Sequence, residues 1–357
     1  MLKIVLRVFF ITLGIYIIFI IALHTRRFQR EVLFTNSIDY PRSSTLKNPT
    51  YHGFPDKQVK NFYIENELGN KLGAWQVIPT DSYWREINNE RKSFDDKFYN
   101  SFLTNSSITT VIYLHGKFGN RAVPVRVFNY QKLATINNFN VITVDYTGFG
   151  DSKGIPTEKN IVDDSKAVWD WLIKKGTSPE RIIIMGHSLG SGIATKLAEK
   201  LQNENVKPKA LVLKGPFTSL KKALFDHKLF GTFSFMGPIG HIPQLKEYLG
   251  NVLKYEFDSL SIIDKLRLPI LILHGEDDGV FPISHGEDLF RAGSNSTTCK
   301  KVSQMPQGAL QSVEILSTEC QNHFIQFARF NHISHSNFHR FDSVFKVIQK
   351  FFDKTNN

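Results

Sequence analysis

The stretch Arg181-Ile-Ile-Ile-Met-Gly-His-Ser-Leu-Gly190 is the most informative part of this 357-residue sequence. An apolar run leads into Gly186-His187-Ser188-Leu189-Gly190, and a helical pattern follows as far as Leu201. A strand, a sharp turn and a helix, with G-x-S-x-G at the turn, form a nucleophile elbow. Side chains two positions either side of Ser188 would collide with the turn, so both positions are glycine. The pattern predicts that Ser188 projects its Oγ above a sheet as a nucleophile.

A serine nucleophile that attacks a carbonyl also needs backbone donors for the oxyanion. The helix after Ser188 would supply the Leu189 N–H at its N-terminus. A second donor is expected from His115-Gly-Lys-Phe-Gly119, which follows the apolar run 108–114. Lys117 N–H is the candidate, and Phe118 N–H is the alternative.

The nucleophile needs a base, and the base needs an orienting carboxylate. The apolar run Pro269–Leu273 leads into His274-Gly-Glu-Asp-Asp278. An acid at the carboxyl end of a strand shares the rim of the sheet with the elbow, so Asp277 and Asp278 both qualify by position.

Three histidines, His332, His335 and His339, follow the last predicted strand, Phe324–Ala328. His339 would fall within the closing helix and His332 lies close to the strand. His335 sits at the helix entry, where it is free to reach over the sheet. The resulting order Ser, Asp, His along the chain is the order of the α/β-hydrolases.

Apolar runs alternate with helical patterns along most of the chain, and the strand interiors are apolar on both faces. This predicts an α/β fold with a mostly parallel sheet covered by helices on both faces. Together with the elbow and the Ser, Asp, His order, it indicates the α/β-hydrolase fold. The segment 81–107 is expected as a surface insertion. The Phe-rich segment of about 221–263 is expected as a short cap over the site, and the alternative is a helical excursion on the edge of the core.

The N-terminus carries a span of twenty residues, Ile4–Leu23, interrupted only by Arg7. At about 1.5 Å per residue, this length crosses the hydrocarbon core of one bilayer. Because no small-x-small cleavage site follows, an uncleaved transmembrane anchor is favoured over a signal peptide. We therefore expect an anchor at 1–24, a polar linker at 25–57 and an α/β-hydrolase domain at 58–357.

The net charge of +11 can reflect nucleic acid, an anionic membrane surface or solubility alone. No nucleic-acid-binding fingerprint and no dense Lys/Arg block is present, so nucleic acid is not expected as a partner. Thirty Phe residues suit a lipid-facing protein. A serine nucleophile requires no metal and no cofactor.

Taken together, these segments resemble the α/β-hydrolase-domain-containing protein 12 family, the membrane-anchored lysophosphatidylserine and monoacylglycerol lipases of the endoplasmic reticulum. The resemblance covers about residues 108–351. The matching residues are His115-Gly116, Gly119-Asn-Arg121, Asp145-Tyr146, Gly148, Gly150-Asp-Ser152, Gly186–Gly190, Pro216-Phe-Thr218, Leu271-Ile-Leu-His274 and Glu276-Asp-Asp278.

The resemblance implies Ser188 as nucleophile, His335 as base and Asp278, the second Asp of Glu-Asp-Asp, as the triad acid. It also implies cleavage of the acyl ester of a lysophospholipid or a monoacylglycerol, with release of a fatty acid. Lys117-Phe118 replaces the small polar pair usual after His-Gly, and Lys214-Gly215 stands where the family has an acid and a small residue. An acyl-protein thioesterase of the same fold is one alternative, and a catalytically inactive membrane-anchored scaffold is another.

Signals for membrane orientation disagree. Arg26, Arg27 and Arg30 follow the span and favour a cytosolic body by the positive-inside rule. The sequons Asn105-Ser-Ser107 and Asn295-Ser-Thr297, the two cysteines of the chain and the family resemblance favour the lumen of the endoplasmic reticulum. We expect a cytosolic N-terminus and a luminal, glycosylated hydrolase domain.

The two cysteines, Cys299 and Cys320, lie in one apparent surface insertion. The lumen would allow them to form a disulfide, and two free thiols are the alternative.

Overall fold

The computed structural model describes residues 1–229, 233–234, 236–294, 300–304, 313–320 and 323–355. The strands are β1 (Val59–Glu65), β2 (Lys71–Val77), β3 (Thr110–Leu114), β4 (Asn140–Val144), β5 (Ile182–His187), β6 (Ala210–Lys214), β7 (Lys228–Leu229), β8 (Phe233–Ser234), β9 (Ile270–Gly275), β10 (Lys300–Gln304), β11 (Val313–Cys320) and β12 (His323–Phe330). The α-helices are α1 (Leu2–Leu23), α2 (Arg26–Phe34), α3 (Thr80–Asn88), α4 (Asp96–Thr104), α5 (Pro124–Ile136), α6 (Glu158–Lys174), α7 (Leu189–Asn203), α8 (Leu220–Asp226), α9 (Gly237–Gly240), α10 (Pro243–Val252), α11 (Leu260–Ile263), α12 (Ser284–Gly293) and α13 (Asp342–Thr355).

The main sheet has the strand order β1-β2-β4-β3-β5-β6-β9-β12-β11-β10. The central strands from β4 to β12 pair in parallel, whereas the pairs towards both edges are antiparallel. Parallel strands require crossover connections, and the helices between them supply these. The mostly parallel sheet predicted from the sequence is therefore confirmed.

Alternate residues of the central strands point to opposite faces of the sheet, as the period of a strand requires. Ile184 belongs to the core on the face covered by α6 and α7. Its neighbour Ile183 belongs to the core on the face covered by α5 and α13. Because both faces are covered, the strands are apolar throughout, which is the pattern that the sequence shows.

Much of the segment 25–57, expected as a polar linker, is folded onto the hydrolase domain. Helix α2 begins at a Thr25 cap and ends in Phe34, a fully buried residue whose ring contacts Phe149 and Tyr255. Leu46 is likewise buried in the core. A few apolar side chains therefore hold this polar segment against the core. The boundary between linker and hydrolase domain at residue 57 stays a proposal.

Two other segments contain more regular structure than the sequence pattern indicates. Within 81–107, α3 and α4 enclose a small aromatic cluster that includes Tyr83, Phe98 and Phe102. The segment expected as a loop between the cysteines contributes β10 and β11, which extend the sheet in antiparallel pairing beyond β12. Cys299 and Asn295 lie outside the described residues, so the disulfide and the second glycan remain predictions.

Residues 220–263 contain α8 to α11 and the β7–β8 ribbon, between β6 and β9. Phe225, Met236 and Leu249 of this segment form a small buried cluster. Residues of α1 pack against the same cluster. We keep the prediction that this segment is a cap, because its residues line the cavity described below.

Candidate active site

Ser188 occupies the turn between β5 and α7 with φ of 55° and ψ of −122°, a strained conformation for a residue with a side chain. A Cβ atom on Gly186 would lie 2.1 Å from the carbonyl oxygen of Gly190, and one on Gly190 would lie 2.0 Å from that of Leu114. Both approaches are far closer than van der Waals contact, so only glycine fits. The two glycines therefore permit the tight turn that presents Ser188 Oγ above the sheet.

The structure brings Ser188, Asp278 and His335 together in one chain of hydrogen bonds. Ser188 Oγ lies 2.8 Å from His335 Nε2, and His335 Nδ1 lies 2.8 Å from Asp278 Oδ2. These three residues come from the ends of β5, β9 and β12, which meet at one rim of the sheet. The arrangement is that of a nucleophile, a base and an orienting carboxylate.

Asp278 is held as an anion. Its Oδ1 accepts hydrogen bonds from the N–H groups of Val280 at 2.8 Å and Phe281 at 2.9 Å. Burial alone would raise the pKa of Asp278, but hydrogen bonds to His274 and His335 outweigh it and hold the pKa well below its usual range. Adjacent Asp277 lies outside this network, 3.7 Å from His332.

Two neighbours fix the loop that carries His335. His187 Nε2 lies 2.7 Å from the carbonyl oxygen of His335. Burial lowers the pKa of His187 well below its usual value, so the neutral ring donates this hydrogen bond from Nε2–H. Gly215, at φ of +51°, leaves room for the imidazole, since a Cβ there would lie 3.2 Å from His335 Nδ1. The second residue of the elbow motif therefore positions His335, the candidate base.

The other two histidines of the same loop lie away from Ser188. The His332 side chain is 85% exposed. The His339 ring stacks on Phe128 with 5.2 Å between ring centroids. Only His335, of the three candidates, contacts the nucleophile in this structure.

The structure separates the two oxyanion-donor candidates in the loop after β3. The N–H of Phe118 donates to the carbonyl oxygen of Phe34 at 2.9 Å and is therefore occupied. Arg126 Nη2 and His115 Nδ1 both contact the carbonyl oxygen of Gly116, at 2.9 Å and 2.8 Å. In a trans peptide the N–H points opposite to the carbonyl, so the Lys117 N–H points away from Arg126 and His115. This geometry supports Lys117 over Phe118.

Arg126 organises this loop from beneath. It is buried, and its guanidinium donates to the carbonyl oxygens of Gly116, Lys117, Phe118 and Asn120 at 2.5–3.0 Å. Because these carbonyl groups point at Arg126, the N–H groups of the same peptides point away from it. The sequence gives no local signal for this role, because the arginine lies on a helix that begins after the loop.

Comparison with known proteins places this chain in a family. A family model of the alpha/beta hydrolase fold matches residues 109–235. Lysophosphatidylserine lipase ABHD12 of Danio rerio is 32% identical over 297 residues, which cover 82% of this chain and 74% of that protein. The same-named protein of Bos taurus is 31% identical over 301 residues, covering 81% and 70%. The chain belongs to the ABHD12 family.

Solved structures agree on the fold. An esterase of Pyrococcus furiosus superposes with a TM-score of 0.55 at 16% identity, covering 87% of this chain and 94% of the esterase. Est1E of Butyrivibrio proteoclasticus gives 0.51 at 17% identity, covering 83% and 99%. Family membership and fold together identify the ABHD12-family chain as a serine hydrolase.

Ser188 opens into a cavity of about 510 Å³. Its walls are mostly apolar and combine residues of the elbow, the oxyanion loop, the cap and the two N-terminal helices. The lining residues include Phe19, Leu23, Val32, Leu33, Lys117, Ser188, Leu189, Phe217, Leu224, Met236, Tyr255, Phe281 and His335. The contribution of α1 and α2 is not foreseen by the sequence, because nothing local to residues 19–33 indicates that they face Ser188.

The ABHD12-family chain also holds one lysine in an unusual setting behind the elbow. The Lys214 side chain is 1% exposed, and its Nζ donates to Asn129 Oδ1. The rings of Tyr113, Phe338 and Phe345 surround the amine at 5.3–5.8 Å. Burial lowers the pKa of Lys214 to about 7. Its backbone carbonyl accepts the N–H of Ser188 at 3.0 Å, so β6 supports the elbow through the main chain.

We expect Lys214→Met to have a higher melting temperature than the wild type at pH 7. The difference in melting temperature should become smaller as the pH rises. In the folded protein Lys214 loses its proton near pH 7, whereas the unfolded chain keeps it up to the ordinary pKa of 10.5. Between these two pKa values the unfolded state binds more protons than the folded state. The free energy of unfolding of the wild type therefore rises with pH, by at most about 1.4 kcal/mol per pH unit. Melting curves at pH 7 and pH 9 in detergent measure the difference in melting temperature.

Lys207→Met is the matched control, because Lys207 is exposed in the loop that leads into β6. It should leave the melting temperature unchanged at both pH values. If the difference in melting temperature between Lys214→Met and the wild type stays constant or widens from pH 7 to pH 9, Lys214 does not lose its proton on folding.

Proposed function

We propose that this protein hydrolyses the acyl ester of a single-chain lipid, a lysophospholipid of the lysophosphatidylserine type or a monoacylglycerol, and releases a fatty acid. The observation that carries the proposal is that Ser188 Oγ, bonded to His335, opens into an apolar cavity of about 510 Å³. Small-molecule sites span roughly 300–1,000 Å³, and apolar walls favour an acyl chain over a polar substrate. The relatives' name, lysophosphatidylserine lipase, agrees with this substrate class.

In the proposed reaction, Ser188 Oγ attacks the ester carbonyl carbon while His335 Nε2 accepts its proton. Asp278, ionised and bonded to His335 Nδ1, holds the ring in the tautomer whose Nε2 can accept, and stabilises the imidazolium that forms. Leu189 and Lys117 donate their N–H groups to the carbonyl oxygen as it becomes negative. Removing one such donor typically costs about 10²–10³ in rate.

The tetrahedral intermediate then collapses and expels the glycerol-bearing alcohol, which takes the proton from His335. Water attacks the acyl-Ser188 ester next, and His335 accepts its proton. The second tetrahedral intermediate collapses, Ser188 Oγ takes that proton back from His335, and the fatty acid leaves. The residues present therefore suffice for both halves of the cycle, without a metal or cofactor.

We also propose that α1 anchors the protein in the endoplasmic reticulum membrane, with the hydrolase domain in the lumen. The helix Lys3–Leu23 has a mean hydropathy of 2.7. Its apolar side chains from Ile4 to Ile11 are largely exposed, as expected of a helix that meets lipid. Exposed Arg26 and Arg27 follow its end, where lipid head groups would lie. By the positive-inside rule they favour a cytosolic body, so the luminal orientation rests on the sequons and the family resemblance.

The proposed function is tested with a substrate panel on the detergent-solubilised full chain. Long-chain lysophosphatidylserine, lysophosphatidylcholine, monooleoylglycerol and an S-palmitoyl peptide are compared, with Ser188→Ala as the control for contaminating activity. We expect cleavage of the single-chain lipid esters and loss of it in the variant. Hydrolysis of the palmitoyl thioester alone would establish the thioesterase alternative, and no hydrolysis of any substrate would overturn the proposal.

The luminal orientation predicts that Asn105 carries a glycan. Asn105 is exposed in the loop after α4, where a glycan would not disturb the core. Endoglycosidase treatment of microsomal protein should increase its gel mobility, and Asn105→Gln should remove part of the shift. An unchanged mobility together with full protease sensitivity in sealed microsomes would place the body in the cytosol.

A further inference from the structure

One face of the last two turns of α1 packs against the cap. Tyr16, Phe19 and Ile20 pack on the buried cluster of Phe225, Met236 and Leu249. Leu23, on the same face of the helix, is 2% exposed. This spacing of three and four residues marks one face of a helix. The opposite face stays open, with Ile18 69% exposed and Ile21 64% exposed.

Polar contacts fix the end of the anchor to the cap. The side chain of Gln29, 4% exposed, donates from Nε2 to the carbonyl oxygens of Leu23 at 2.5 Å and Val252 at 3.0 Å. Its Oε1 accepts the N–H of Lys254 at 2.7 Å. A buried amide with these partners ties α1, α2 and the end of α10 together, so the anchor is a structural part of the hydrolase domain and not a tether to it.

The face of the anchor that meets the cap also reaches the cavity of the nucleophile. Phe19 and Leu23 of α1, with Val32 and Leu33 of α2, line the same 510 Å³ cavity as Ser188. We infer that the end of the membrane anchor forms one wall of the acyl-chain site, and that the lipid substrate reaches Ser188 directly from the leaflet in which α1 ends. This inference rests on the proposed function.

The depth of the contact supports entry from the leaflet. Residues 16–23 cover about 12 Å along the helix axis, most of one leaflet of a hydrocarbon core about 30 Å thick. If α1 spans the bilayer, the cap residues that contact it and this part of the cavity lie at the level of the acyl chains. A single-chain lipid would then enter tail first, with its ester near the head-group level and Ser188.

The first test narrows the cavity with a bulky side chain and compares the hydrolysis of a long-chain ester with that of a short one. Val32 is 45% exposed and lines the cavity, so Val32→Trp adds bulk there without displacing buried core. We expect the ratio of kcat/KM for monooleoylglycerol to kcat/KM for p-nitrophenyl acetate to fall by about tenfold or more, since misfits in apolar pockets cost roughly 10- to 200-fold. Ile18→Trp, on the open face of α1, is the matched control and should leave the ratio unchanged.

A wild-type ratio in Val32→Trp would overturn the inference while leaving the proposed function intact. A wild-type protein that cleaves p-nitrophenyl acetate but no lipid would instead overturn the proposed function. The two failures are therefore distinguishable.

The second test needs no variant. A long-chain alkyl fluorophosphonate with a terminal diazirine is attached to Ser188 of the full-length protein in phosphatidylcholine vesicles and irradiated. We expect mass spectrometry of the digest to find cross-links in the peptides that contain residues 16–33. Cross-links confined to peptides outside α1 and α2 would overturn the inference, whatever the outcome of the Val32→Trp comparison.

Discussion

Replacing His335 by alanine should lower kcat by about 10⁶-fold, as loss of the base does in other serine hydrolases with a triad. His335 Nε2 is 2.8 Å from Ser188 Oγ, and no other histidine of its loop contacts the nucleophile among the described residues. Without it the hydroxyl keeps its proton and is a poor nucleophile. The rate of monooleoylglycerol hydrolysis by purified protein, matched for folded content by circular dichroism, measures the effect.

His332→Ala and His339→Ala are the matched controls for this substitution. His332 is exposed and His339 is packed on Phe128, so neither should lower kcat by more than a few-fold. Loss of activity in His339→Ala with retention in His335→Ala would show that the base has been assigned to the wrong histidine.

Asp278→Asn should lower kcat by about 10⁴-fold, with little change in the fold. Asp278 Oδ1 accepts the N–H groups of Val280 and Phe281, and only an oxygen can take that position. The amide of the variant must therefore turn its NH₂ group towards His335. That group donates to Nδ1, which moves the ring proton to Nε2, and Nε2 can then no longer accept the proton of Ser188.

Asp277→Asn is the adjacent control for Asp278→Asn. Asp277 has no contact with His335, and its side chain is 62% exposed. We expect wild-type kcat for this variant in the same lipid assay. Equal losses in the two variants would show that the acidic turn acts through its overall charge or folding and not through the tautomer of His335.

Local constraints explain why the elbow could be predicted from the sequence. Gly186 and Gly190 are required by contacts within a few residues of Ser188, so the motif carries its own explanation. The central strands were predictable for a similar reason, because burial on both faces leaves an unbroken apolar run. Position after the strands limited the acid to Asp277 or Asp278 and favoured His335 as the base, and the family resemblance then selected Asp278.

Long-range contacts explain what the sequence could not supply. The N–H of Phe118, one candidate oxyanion donor, is occupied by the carbonyl oxygen of Phe34, which lies more than eighty positions earlier in the chain. The segment between Cys299 and Cys320 was expected as a surface insertion, because the sequence of β11, VEILSTEC, lacks the strict alternation of a strand. Its antiparallel pairing with the predicted strand β12 is what makes it part of the sheet. The aromatic surroundings of Lys214 come from three separate elements.

The contact of α1 with the cavity is the largest structural feature that the sequence does not predict. Its sequence predicts a membrane span, and residues 4–15 behave as such a span should. The contacts of Phe19 and Leu23 depend on how the cap folds over Ser188, and the composition of an apolar helix is the same whether lipid or protein covers one face.

The central claim, that Ser188 is a nucleophile activated by His335 and Asp278, is tested most directly by a fluorophosphonate probe. The full-length protein in detergent is incubated with the probe, digested and analysed by mass spectrometry. We expect an adduct on the peptide that contains Ser188, absent from Ser188→Ala and strongly reduced in His335→Ala. Undiminished labelling of Ser188→Ala, or an adduct on neighbouring Ser191 in place of Ser188, would contradict it.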